Sequence, residues 1–144
     1  MPDQGRDVRV TPSQPKVALL RAVFLFGAVA DALLAVEWYL ISLGLVDMPI
    51  HPSFFHGAGQ DYQFMLGISA LFMLGWAGLM YWGSRRPMER RAILLLTAGM
   101  LFVAILSEGL IFGHLLSAKQ LALGSSAKLL LVMLFAGSYW YSRR

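Results

Sequence analysis

The chain has no cysteine, and its 144 residues carry only 8 acidic and 12 basic side chains. The missing cysteine excludes disulfides, iron–sulfur clusters and thiolate zinc sites. It leaves the compartment open, because apolar spans need no covalent staple. The shortage of charge says more. Charged residues make up 14% of the chain and hydrophobic residues 58%, against ~25% and ~45–50% in a soluble domain. So little polar surface cannot cover a core in water.

Catalytic motifs are also lacking. There is no G-x-S-x-G, and serines such as Ser107 and Ser138 read as ordinary helix residues. The G-x-G at Gly57–Gly59 has no third glycine, strand or helix to make a phosphate loop. His51, His56 and His114 are the only histidines. Two of them sit in a proline-rich segment rather than on one helix face, and only His114 is near a span, so a bis-His haem has no matched pair. With Asp47 and Asp61 they make at most a weak outer-side metal or polar site. No metal and no cofactor is expected.

What the chain does have is long apolar runs arranged around Ser84-Arg85-Arg86-Pro87-Met88-Glu89-Arg90-Arg91. Runs of about twenty apolar residues flank this loop, each long enough to cross a ~30 Å hydrocarbon core. Cationic loops stay on the cytoplasmic side of membranes. Arg6, Arg9, Lys16 and Arg21 precede the first run, and Arg143 and Arg144 close the chain. Ten of the twelve Lys and Arg therefore fall on one side of a four-span arrangement, with Lys119 and Lys128 on the other. The net charge of +4 is explained by this placement and needs no nucleic acid as partner.

The expected organisation is a polar cytoplasmic tail over 1–16, which ends where Pro15 opens the first helix, and one membrane domain over 17–144. Spans are expected at about 22–46, 62–83, 92–117 and 121–141. The first is too long for a signal peptide and lacks a small-residue cleavage site, so it reads as an uncleaved anchor. The connection Asp47–Gln60 carries Pro49, Pro52, Gly57 and Gly59 but no Lys or Arg, which places it outside. Trp76, Tyr81 and Trp82, and again Tyr139, Trp140 and Tyr141, gather at the inner ends as aromatic belts do. The small residues Gly67, Gly75 and Gly78, and the G-x-x-x-G pair Gly109 and Gly113, suggest close helix packing. The fold class is thus an all-α integral membrane four-helix bundle with both termini cytoplasmic.

The run from Tyr62 to Thr97 contains Leu66-Gly67, Leu74-Gly75-Trp76, Arg86-Pro87, Glu89-Arg90-Arg91 and Leu94-Leu95-Leu96-Thr97. Over this quarter of its length the chain resembles an uncharacterised family of small four-span prokaryotic membrane proteins. The resemblance implies the same architecture and brings no activity and no catalytic residue with it.

Ionisable groups inside the spans are the informative exceptions, because each costs ~2.5–3.5 kcal/mol at a helix centre on insertion scales. Counting from the cytoplasmic ends at ~1.5 Å per residue puts Glu37 at ~23 Å, Glu108 at ~24 Å and Lys128 at ~20 Å, one shared level. Asp31 comes at ~14 Å, near the midplane, and is turned ~240° from Glu37. The first three are expected either as a coupled triad able to bind a proton, a cation or an amine, or as an ion pair holding the bundle in register. Asp31 has no basic partner at its depth. It is expected protonated and bonded to a hydroxyl such as Ser69 or Thr97, or open to a water-filled cavity.

On these grounds the leading expectation is a non-enzymatic bundle in the prokaryotic cytoplasmic (inner) membrane. Its partners would be the lipid bilayer, and further copies of itself or a larger membrane complex. The alternatives are a small proton- or cation-coupled carrier or channel that uses the intramembrane charges, and a membrane redox or metal-binding subunit.

Overall fold

The computed structural model describes residues 14–46, 59–111, 113 and 117–143. They form four helices: α1 (Gln14–Ser42), α2 (Gln60–Arg85), α3 (Ala92–Leu110) and α4 (Ala118–Arg143). There is no strand among the described residues. All four helices are long and apolar enough to cross a membrane. The shortest, α3, has 19 residues, or ~28 Å of helix.

Helix ends depart from the expected spans at both ends of α1 and at the end of α3, which stops at Leu110 rather than continuing to 117. α1 begins at Gln14, inside the stretch expected to be tail, with Pro15 in its first turn, where a missing N–H costs nothing. It stops at Ser42 rather than continuing to Val46. Gly44 takes φ +68°, its N–H bonds the Ile41 carbonyl at 2.9 Å, and the Leu45 N–H bonds the Leu40 carbonyl at 3.0 Å. That pair of bonds is a Schellman stop, and hydropathy does not register it. At the other boundary of this connection, α2 opens after Gly59 with Asp61, exposed in its first turn, facing the positive end of the helix dipole.

α1 packs along α2 and α3 along α4, and the two hairpins meet chiefly through α1 and α4. Their shared core is one layer. Leu20, Phe24, Met80 and Leu94 are fully buried, with Val23, Ala28, Ala98 and Phe135 around them. Each of these lies in the part of its helix near the loop 86–91, so the layer sits close to that end of the bundle. Two glycines make it possible. A side chain at Gly83 would run into the Phe24 ring, and one at Gly27 would meet Met80 and Phe135. Large residues on one helix thus fill the space left by glycine on its neighbour, which is how close packing is reached without voids.

The outside of the bundle is apolar. Leu110, Phe72 and Leu130 are 83%, 77% and 72% exposed, and many other leucines, phenylalanines and methionines are exposed beside them.

The candidate cavity and the charged levels of the bundle

Immediately beyond the core layer, away from the arginines, a cavity of about 580 Å³ is lined by all four helices and is open to the outside of the bundle past the exposed Phe26, Phe72 and Met100. Phe26, Phe72, Trp76 and Phe135 give it aromatic walls, and Met73 and Met100 give it thioethers. Its only ionisable wall residue is Asp31. The position follows from α1 itself. Asp31 comes seven residues after Phe24 and four before Ala35, both buried, so it lies on the inward stripe of the helix.

Neither expected hydroxyl reaches this carboxylate. Ser69 Oγ donates to the Met65 carbonyl at 2.8 Å. Thr97 Oγ1 donates to the Ile93 carbonyl at 2.8 Å and lies 3.7 Å from the Met80 sulfur. Each hydroxyl gives its one proton to the helix's own backbone, and neither oxygen makes a hydrogen bond with Asp31. Thr97 still lines the cavity. Among the described residues no hydrogen bond or ion pair reaches Asp31, which leaves the cavity as its environment.

A second charged level lies farther along. Lys128 Nζ bonds Glu108 Oε1 at 2.5 Å, with the two side chains 26% and 23% exposed. The bond ties α4 to α3 within one hairpin. Glu37 is half-buried on α1, in the other hairpin. Glu108 and Asp31 thus stand in contrasting settings, one in a salt-bridged pair and one on an apolar cavity wall.

The third constellation is the arginine end. Lys16, Arg21, Arg85, Arg86, Arg90, Arg91 and Arg143 all gather there. The Arg90 guanidinium stacks 3.2 Å from the centroid of the Trp82 ring and donates to the Trp82 carbonyl. Arg91 donates to the Ser142 carbonyl at 3.1 Å, fastening the loop to the last turn of α4. Lys16 lies 5.8 Å from the Tyr141 ring, so both ends of the described chain meet at this end of the bundle. Arg86 and Glu89 pair at 3.4 Å in the open.

The tightest approaches to glycine within the bundle lie outside the set that spacing suggests. Gly67 does meet a neighbour, Ser42 of α1, but a Cβ on Gly75, Gly78 or Gly109 would meet nothing among the described residues. Gly113 lies just past α3, against the Gly109 carbonyl. The tight approaches are at Gly27 and Gly83, whose partners are large buried side chains rather than other glycines. A spacing rule for small residues has no access to that.

Asp47, His51, His56 and His114 lie outside the described residues. Among the described residues no three His, Asp or Glu side chains are grouped so as to hold a metal ion. Comparison with known protein families, with curated proteins and with solved structures finds no match to this chain. The functional reading therefore rests on geometry.

Proposed function

We propose that the chain is a four-span integral membrane protein of the prokaryotic cytoplasmic membrane, with loop 86–91 and both termini on the cytoplasmic side, and that it is a small proton- or cation-coupled carrier in which Asp31 is the coupling carboxylate. The membrane part of this reading is supported by the exposed leucines and phenylalanines, which only lipid would cover without cost. The orientation is supported by the cluster of arginine and lysine at one end with tyrosine and tryptophan among them. The resemblance over Tyr62–Thr97 implies the same architecture.

One observation carries the carrier reading: Asp31 stands on the wall of a cavity lined by all four helices, with no protein partner among the described residues. An intramembrane carboxylate is expensive unless it is paired or used. One carboxylate neutralises one positive charge, so a proton and a substrate cation compete for it, and exclusive occupancy is the basis of exchange. The hairpins supply the moving parts. Each is held together along its length, while between hairpins the fully buried contact is the single layer of Leu20, Phe24, Met80 and Leu94, about which they can rock.

The test is cation-driven or proton-driven flux in liposomes containing the purified protein, followed with a trapped pH indicator. Flux above that of empty liposomes, lost in Asp31→Asn and kept in Gly75→Ala, supports the proposal. Parent protein no faster than empty liposomes defeats it.

A second reading, assembly into an oligomer or larger complex, is favoured by Gly75, Gly78 and Gly109, whose faces are open among the described residues and would let another helix come close. A discrete oligomer in mild detergent that Gly75→Leu dissolves would support it, and a monomer at all concentrations would not.

A further inference from the structure

We infer that the cavity at Asp31 takes a lipophilic organic monocation, a tertiary amine or quaternary onium carrying an aromatic or branched apolar body. The inference rests on the carrier reading for its use but on the cavity wall for its chemistry.

Inorganic cations fit poorly. A hard metal ion stripped of water needs about six or more oxygen ligands. The wall offers the Asp31 carboxylate and the Thr97 hydroxyl, and the rest is aromatic rings, thioethers and aliphatic groups. A proton alone fits Asp31 but gives no reason for about 580 Å³ of shaped space. That volume is within the range of sites for drug-sized molecules, roughly 300–1,000 Å³. A neutral apolar molecule would fill the space and leave the carboxylate without water or partner. An anion would be repelled, and a dication would keep one charge uncompensated in an apolar setting.

An organic monocation satisfies every part of the wall together. Its charge pairs with Asp31. Its positive centre, spread over carbon-bearing substituents, is attracted to the faces of the rings, most strongly to Trp76. Methionines 73 and 100 are unbranched and polarisable, so they adapt to bodies of differing outline. The buried layer of Leu20, Phe24, Met80 and Leu94 fills the bundle between the cavity and the arginines, which keeps the repelling charges of that end away from a bound cation.

The experiment is equilibrium dialysis of radiolabelled tetraphenylphosphonium against the full chain in mild detergent, with neutral triphenylphosphine oxide as competitor. The expected result is saturable binding that excess phosphine oxide does not displace. Asp31→Asn is expected to weaken it about tenfold or more and Trp76→Leu by a few-fold, while Asp31→Glu, which keeps the charge, restores most of it. Asp31→Asn binding as tightly as the parent, or displacement by the neutral oxide at equal concentration, would overturn the inference. So would an absence of saturable binding by protein shown to be folded by circular dichroism. The two proposals fail separately. Binding at Asp31 without flux in liposomes keeps the ligand class and removes the carrier, whereas Asp31-dependent flux without tetraphenylphosphonium binding does the reverse.

Discussion

The Phe24 ring of α1 occupies the space that a side chain at Gly83 of α2 would need: a Cβ there would lie 2.8 Å from Phe24 Cδ1. Phe24 is fully buried, so its ring has nowhere to retreat. Gly83→Ala is therefore expected to destabilise the bundle by about 1–3 kcal/mol, the usual range for overpacking. Gly27→Ala should cost less, because its nearest neighbour is the terminal methyl of Met80, which can swing aside. Gly75→Ala meets nothing and should gain up to ~1 kcal/mol of helix propensity. Thermal unfolding in detergent, followed by circular dichroism, ranks the three. Gly83→Ala as stable as Gly75→Ala would mean that α1 and α2 do not approach this closely at Phe24 and Gly83.

The proposed orientation makes a labelling prediction that the absence of native cysteine makes clean. Glu89 and Ala118 are both exposed and lie at opposite ends of the bundle. Glu89→Cys should react with an impermeant maleimide only after the cells are permeabilised, and Ala118→Cys in intact cells. The opposite pattern would invert the topology and with it the side from which a solute reaches the cavity.

Glu108 and Lys128 form the one bridge between the two helices of the second hairpin among the described ion pairs. Breaking a partly buried pair strands a charge, so either Glu108→Gln or Lys128→Met should destabilise more than the double variant. A double-mutant cycle is expected to give a coupling of about 0.5–3 kcal/mol. If the two substitutions are simply additive, the bond does not stabilise the fold, and Lys128 would be better read as free to serve a ligand.

Much of this arrangement could be read from residue order, and the parts that could not share a cause. The runs, the arginine loop and the shared depth of Glu108 and Lys128 follow from counting, because a helix converts residue number into height at a fixed rise. That Asp31 shares an inward stripe with Phe24 and Ala35 was not legible, because only the structure shows that those two residues are buried. Neither was the stop at Gly44, because Leu45 and Val46 continue the apolar run while the backbone has already turned. Nor were the partners of Gly27 and Gly83. Packing across helices depends on which residues meet, and a single chain of letters specifies neighbours only along one helix. The partners of the Ser69 and Thr97 hydroxyls were not legible either: each gives its proton to the carbonyl four residues back, and neither meets Asp31.

Asp31 itself yields the most discriminating stability prediction. A carboxyl group on an apolar cavity wall is partly withdrawn from water and gains no partner among the described residues, and such burial costs about 1–3 kcal/mol in protein interiors even for a neutral polar group. Replacing it with an apolar residue of similar size should recover that cost. Asp31→Leu is thus expected to unfold at a higher temperature than the parent, and Asp31→Asn to fall between them. The same substitutions should weaken binding about tenfold or more and abolish flux. Stability gained as activity is lost is what a residue retained for function, against the interest of the fold, would show. The measurement is the thermal midpoint of the three proteins in one detergent. If Asp31→Leu instead melts lower, the carboxylate is holding helices together, and the cavity loses the one group that marks it as a site.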